Sequence, residues 1–542
     1  MRSPVLLMAL LAGCKSADEW RADADREVGE ILAERQAELG VEAPFELERP
    51  ADTLRTRLLG EFEAGRAEPL TIDLVAALAI AAENSREWQD QRERLFRSAL
   101  DLTLTRWNFA VQENGTLSAF LDGTGSQAES EGFLANFNLI KLLGWGTRFT
   151  GDIGIDFLRD VGSGDGWDAV SHLSLNITQP ILRGFGRAIV EEPLTQAERD
   201  VLYEARAYER FRRTFAVRIA DSFFRVLEQL DRLENEEANF QNLVKLRERN
   251  EAFAEAGRLT DIQVDQARQD EFRARDRLIS ARRDLEGALD DFKLTLGLPV
   301  ELELALDEGG LRALEAWHGL RVDLAERDVV ALALIHRLDH LTVVDRLVDA
   351  ERGVLVAADA LRLGLDLGVS ADLASAEGRP LALHGDEITW GLDLGLDLPI
   401  DKIPERNAYR RTLIARDAAV RELEQSTDEV RSELRDALRR LAAARASYEI
   451  QQGAVGLAER RIESAALNLE AGRASTRDLL EAQDDLLTAQ NDLAANLTDT
   501  ILAGLELYRD MELLEVGEQG LQIDPDGLTA APAQPSDEEV EP

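Results

Sequence analysis

The chain has 542 residues, 45% of them hydrophobic, with 62 Lys plus Arg against 104 Asp plus Glu, a formal net charge of −42. Such acidity excludes DNA and RNA as partners, because affinity for phosphates comes mainly from Lys and Arg displacing counterions. One Cys, five His and three Met leave no intramolecular disulfide, no CxxC pair and little material for a transition-metal cage.

The first segment reads MRSPVLLMALLAGC: Arg2, an apolar stretch from Val5 to Ala12, then small residues up to the sole cysteine. Spanning a bilayer as a helix takes roughly 20 apolar residues, so this stretch reads as a targeting segment and not an anchor helix. Leu11-Ala12-Gly13-Cys14 resembles the lipobox of bacterial lipoproteins. The resemblance implies removal of residues 1–13, acylation of Cys14, and outward sorting, since Lys15 replaces the Asp read as inner-membrane retention. The alternative is a buried structural Cys after an ordinary signal. Residues 14–68 read as a charged, partly helical leader. No later segment offers 18 consecutive apolar residues, so any membrane passage must use a barrel.

Beyond the leader, Leu70 to Ser85 reads as the start of a helix. Strand-like pieces follow at Trp107–Val111, Phe149–Phe157 and Leu173–Ile177. From Leu194, after Pro193, to about Ala256 nothing interrupts a helical pattern. The turn Glu255-Ala256-Gly257-Arg258 then recurs 215 residues later as Glu470-Ala471-Gly472-Arg473, and Ala267 falls on Ala482 at the same offset. The second copy repeats the order: a helix start at Val329–Leu341, alternation in Leu361–Val369 and Leu392–Leu398, and a helix from Glu405 to about Ala471. The chain thus divides into repeats at 69–300 and 301–515, and an acidic, Pro-containing tail over 516–542.

At 1.5 Å per residue each long helix extends on the order of 90–100 Å, and such a helix needs a partner along its length. Val430, Leu434, Ala437, Leu441, Ala444 and Tyr448 alternate spacings of four and three, a coiled-coil seam, and Phe215, Ile219, Phe223, Val226, Leu230 and Leu233 nearly do the same. The strand pieces alternate apolar residues with Asp, Gly and Arg, which fits either a soluble sandwich or a barrel wall. Trp107, Trp145, Phe149, Phe157, Trp167 and Trp390 lie in or beside them, as an aromatic girdle requires, and with the lipobox they favour the barrel.

The tandem arrangement, the segment Gln179-Pro180-Ile181-Leu182-Arg183-Gly184-Phe185-Gly186-Arg187, and the run Gly472-x-x-Ser475-x-x-Asp478-Leu479-Leu480-x-Ala482-Gln483 resemble the TolC-like outer-membrane efflux proteins over roughly residues 69–515. The first turn departs from the pattern in having Gln263 where Asp is usual. The resemblance implies an α+β membrane protein: a homotrimer with four strands per protomer in a shared 12-stranded β-barrel, continuous with a tunnel of long antiparallel helices. It further implies outer-membrane lipid around the barrel, a periplasmic adaptor at the turns Gly257, Arg258, Gly472 and Arg473, and an inner-membrane pump that supplies energy. Asp366, Asp393 and Asp397 would face the barrel lumen, and Asp261, Asp265 and Asp478 would ring a periplasmic gate or simply sit on a solvated face. A periplasmic coiled-coil scaffold without a channel is the alternative.

His336 and His340, four apart, suit one helix face for a metal, but no Glu follows the first His, so no metal site is assigned. The Gly-rich stretch Gly162–Asp168 reads as a hairpin or surface loop. With no Walker loop, serine elbow or triad, the chain reads as a non-enzyme needing no cofactor.

Overall fold

The computed structural model describes residues 15–38, 53–63, 69–125, 127–161, 166–307, 325–376, 379, 382–517 and 520–523. Cys14, the tail beyond 523 and residues 162–165 of the Gly-rich stretch lie outside the described residues. The chain forms two units, one of Met1–Glu46, Arg94–Ala205 and Thr342–Glu424, the other of Leu47–Glu93, Arg206–Leu341 and Gln425–Pro542.

The first unit is built around one antiparallel sheet of six strands: β2 (Gln112–Thr124), β3 (Gln127–Leu142), β4 (Arg148–Asp160), β5 (Asp168–Pro180), β7 (Gly364–Ala374) and β8 (Thr389–Asp397), in the order β2-β3-β4-β5-β7-β8. Four strands were expected. The span 115–170 supplies the difference, since β2 and β3 form a further hairpin ahead of β4 and β5. Among the described residues these strands form one sheet and not two packed sheets, so a soluble sandwich does not describe them. Trp107 belongs to a helix, α4 (Arg86–Phe109), and not to a strand: its side chain is exposed in the last turn, two residues before the helix stops.

The register holds the two faces apart across all six strands. Asn114, Asn138, Asp152, Ser174, Asp372 and Thr389 stand side by side in one row. In the adjacent row, on the opposite face, Phe137, Ile153, Leu173 and Leu373 are neighbours. Successive side chains point to opposite faces of a strand, so one face is apolar between Glu113 and Lys141 at one end and Glu131 and Arg159 at the other, and the opposite face carries mainly Asp, Asn, Ser and Thr, with Phe120, Leu134 and Leu158 among them. The apolar face is in the open: Trp390 is 76% exposed and Leu392 67%.

The second unit is mainly helical. The two longest helices contribute residues to both units: α5 (Glu192–Glu255, 64 residues) and α9 (Ile403–Glu470, 68 residues). Each is followed, after a five-residue turn, by a shorter return helix, α6 (Asp261–Leu296) or α10 (Thr476–Asp510). The heptad positions on α9 are buried at Val430, Leu434, Ala437 and Leu441, with Ala444 and Tyr448 half-buried. On α5, Phe215, Ile219, Phe223 and Val226 are buried and Leu230 and Leu233 half-buried. Toward the turns one apolar cluster draws on all four helices: Leu243 and Leu246 from α5, Ala274 from α6, Leu469 from α9 and Leu479 from α10. A second, aromatic cluster sets Trp88 against Tyr208, Phe211 and Phe215 at ring separations of 5.2–6.0 Å.

Of the two helix starts expected from the sequence, Leu70–Ser85 opens as a strand over Leu70–Ile72 and is helical over Leu74–Asn84, and Val329–Leu341 is interrupted at Arg337. The helix α3 (Leu74–Asn84) ends at Ser85 before α4 begins, and α7 (Glu326–His336) ends at Arg337 before α8 (Leu338–Asp359). His336 and His340 therefore sit on different helices. His340 is buried, with Nδ1 3.0 Å from Ser426 Oγ, which corrects the shared helix face. Two short parallel strands, β1 (Leu70–Ile72) and β6 (Leu304–Leu306), tie the starts of the two halves together. In the leader, α1 (Ala17–Glu38) and α2 (Leu54–Glu63) are helical as expected. The first free amides of α2, at Leu54 and Arg55, donate to Glu83 and Asn84 of α3 at 2.6 Å. Among the described residues no helix is long and apolar enough to cross a membrane.

Candidate functional site: a polar sheet face and two helical turns

Asp366, Asp393 and Asp397 all lie on the polar face of the sheet. Asp393 stands opposite Gly368, and a Cβ built on that glycine would approach the Asp393 carboxylate to 2.1 Å. The small residue is thus what admits the acid. Asp397 accepts a 2.7 Å hydrogen bond from Arg183, so its charge is already balanced, which the sequence did not reveal. Arg183 comes from the Gln179–Arg187 segment, whose role is to turn the chain out of β5. There the Ile181 amide donates to Leu365 O, Gly184 donates to Asp359 at 2.7 Å, and Phe185 packs on Trp145 with ring centres 5.8 Å apart.

The same face holds acids that sequence reasoning passed over: Asp152, Asp156 and Asp372. His172 lies between the first two, Nε2 being 2.9 Å from Asp152 and Nδ1 3.8 Å from Asp156. The imidazole fills the space above Gly154, where a Cβ would come within 2.0 Å of the ring. The alternation in Phe149–Phe157 was the available signal, because it places Asp152 and Asp156 opposite Phe149, Ile153 and Phe157. Against this set of carboxylates, the polar face carries Arg148 and the paired Arg183.

In the second unit the two turns are built alike. Gly257 and Gly472 adopt φ of 69° and 68°, the left-handed region that favours glycine. In each, the following amide reaches back five residues, Arg258 to Phe253 O and Arg473 to Asn468 O, both at 2.8 Å. The glycine amides close the inner bonds to Ala254 O and Leu469 O, completing a Schellman cap on each long helix. The return helices then open on matching capping boxes, Thr260 with Gln263 and Ser475 with Asp478. This explains why Gln263 stands where Asp is usual: at the third position of the helix either side chain can accept the N-cap amide.

Gly257, Arg258, Gly472, Arg473, Asp261, Asp265 and Asp478 are all exposed. Asp478 accepts from the Ser475 amide and hydroxyl at 2.7 and 2.8 Å, and these bonds, backbone first, hold its pKa below the ordinary carboxylate value. It is therefore a helix-capping carboxylate that stays charged. Close to the turns, α5, α6 and α10 enclose a groove of about 540 Å³ whose walls carry Arg273, Arg277 and Arg477 beside Asp270, Glu481 and Asp484. No group of His, Cys, Asp and Glu suited to a metal ion occurs among the described residues.

Residues 341–510, just under a third of the chain, match the family model of the outer membrane efflux proteins. The CusC channel superposes with a TM-score of 0.59 at 15% identity, covering 81% of this chain and 91% of that one. VceC from Vibrio cholerae gives 0.57 at 16%, with 81% and 95% covered. The MtrE outer membrane channel of Neisseria gonorrhoeae, solved in its open state, gives 0.56 at 13%, with 81% and 88% covered. The fold is that of the outer-membrane efflux channels. The resemblance to the TolC-like family read from the sequence thus holds at the level of both family match and fold. No curated protein sequence matches the chain.

Proposed function

We propose that this chain is a passive outer-membrane exit duct of a tripartite efflux or type I secretion system. Three copies surround one pore, each held at the membrane by an acylated Cys14. The observation that carries the reading is the sheet: one face is apolar and in the open, and the other bears a row of carboxylates and amides. In a bilayer every backbone amide must be satisfied, so such a sheet is stable only as part of a closed barrel, its apolar face to lipid and its polar face to water. The efflux-channel fold and the family match support the same conclusion.

The turns at Gly257-Arg258 and Gly472-Arg473 are the adaptor contacts in this reading. Asp261, Asp265 and Asp478 contribute negative charge at the periplasmic mouth. An inner-membrane pump supplies the energy in this reading, which fits a sequence without a Walker loop. Fractionation tests the reading: the protein should require detergent for release and run as a trimer that heating converts to monomer. Release of a monomer by osmotic shock would instead identify a periplasmic scaffold.

A further inference from the structure

Six strands in one sheet change the size of the barrel. We infer that three copies close an eighteen-stranded wall in which β8 of each chain pairs with β2 of the next, giving a wider outer-membrane exit than twelve strands provide. The inference rests on the trimeric duct proposed above and adds to it the seam and the bore.

Several observations point to the β8–β2 seam. First, β2 and β8 are the two edges of the sheet, and each has a partner on one side only among the described residues. Second, neither edge is defended. Soluble sheets protect edges with Lys, Pro or very short strands, yet β2 runs 13 residues as QENGTLSAFLDGT and β8 runs nine as TWGLDLGLD, with no Lys, Arg or Pro in either. Third, the meander has an even number of strands, so β8 and the next copy's β2 run antiparallel, as every other pair in the sheet does.

Fourth, the apolar face extends to both edges of the sheet. Leu117 and Leu121 of β2 fall on the apolar face with Leu392, Leu394 and Leu396 of β8, all more than half exposed. Joining the edges makes one apolar belt without a break. Strand lengths of nine to sixteen residues reach what a tilted strand needs to cross a bilayer, about 9–11. Barrel diameter grows roughly linearly with strand number, so the wall would be about 1.5 times as wide as a twelve-stranded one.

Crosslinking on the purified, detergent-solubilised full chain tests this. Leu394→Cys on β8 is combined in turn with Gly115→Cys, Leu117→Cys, Ala119→Cys or Leu121→Cys on β2, or with Ile153→Cys or Ile155→Cys on β4. Each double variant is treated with a short bifunctional thiol reagent, and native mass spectrometry counts the chains. Covalent trimers with at least one β2 partner and none with β4, in a complex of three chains, are the expected result. Crosslinks to β4 within a trimer overturn the inference, because the wall then closes on β4-β5-β7-β8 with the first hairpin outside it, while the duct reading stands. Crosslinks to β2 within a dimer overturn both the eighteen-stranded wall and the trimer; a monomer overturns the duct itself. Hydrogen exchange on the unsubstituted complex supplies a check free of mutations. The alternate amides of β2 that do not face β3 should be protected as strongly as those of β4, and rapid exchange there overturns the seam.

Discussion

Leu434 on α9 is completely buried, whereas Leu457 on the same helix is 63% exposed. Shortening Leu434 to Ala removes about three carbon groups from a packed interior at ~0.8 kcal/mol each. A cavity term brings the loss to about 3 kcal/mol, within the usual 2–5 for such a change. At Leu457 most of the side chain is already in water, so Leu457→Ala should cost the isolated fold under about 1 kcal/mol; any larger effect must come from contacts between copies. Melting followed by far-UV circular dichroism reports the first quantity, and native mass spectrometry of the unheated complex reports the second. Leu434→Ala should lower the melting transition and Leu457→Ala should chiefly weaken assembly. Leu441→Asp, which places a charge at a 4%-exposed site, should prevent folding of the chain and not merely its assembly. If Leu434→Ala melts with the parent while Leu457→Ala does not, the heptad seam has been assigned to the wrong face.

Other consequences are as direct. Ser475→Ala removes the hydroxyl that caps α10 and should destabilise that helix by about 1 kcal/mol, seen as faster amide exchange at residues 476–479. Asp478→Asn keeps an acceptor for the Ser475 amide and removes only charge, so a change in ion selectivity with unaltered exchange would assign Asp478 to the mouth's electrostatics, and no change would leave it a cap. Asp231 on α5 is raised to about 6, by burial first and then by Glu234 and Glu228. Its folded pKa lies above its unfolded one, so its contribution to stability is full below about pH 4 and is lost as pH rises through about 6. Asp231→Asn should therefore melt higher than the parent at pH 7 and match it at pH 3.5, and the reverse order would contradict the assignment. Mass spectrometry of the mature N-terminus should find acyl chains on Cys14, and a processed N-terminus downstream of it would remove the lipid anchor.

Much of this fold was legible because its signals are long-range and redundant. The helices α5 and α9 show as uninterrupted patterns after Pro193 and Pro404, and two Schellman glycines 215 residues apart mark where they stop. In β8 the run Leu392–Leu398 has perfect period two, so its facing was plain. The hairpin β2–β3 was not legible because its alternation is broken from within. Phe120, Leu134 and Leu158 lie on the polar face, and the Phe120 ring occupies the space above Gly132, where a Cβ would come within 2.5 Å of it. Large apolar side chains on both faces erase the period that sequence reading depends on. Trp107–Val111 failed for the opposite reason, since five residues of apparent alternation cannot be told from the last turn of a helix and the bend that follows it. His336 and His340 were misplaced because the break at Arg337 carries no Gly or Pro. Instead Arg337 itself is buried at 4% exposure and fixed by ion pairs to Asp339 at 3.0 Å and Glu433 at 2.6 Å. At the turns, the resemblance left Asp478 as a gate residue or one on a solvated face, and the structure shows its carboxylate accepting from Ser475.

Single-channel recording tests the central claim most directly. The detergent-purified complex, incorporated into planar bilayers, should produce discrete, long-lived conductance steps that favour cations, because Asp152, Asp156, Asp366, Asp372 and Asp393 line the polar face of the sheet. Neutralising Asp152 and Asp393 together should reduce that preference without removing the steps. A properly folded complex that inserts and conducts nothing, or conducts with a preference for anions, would contradict the account of this sheet as the wall of an acidic, water-filled duct.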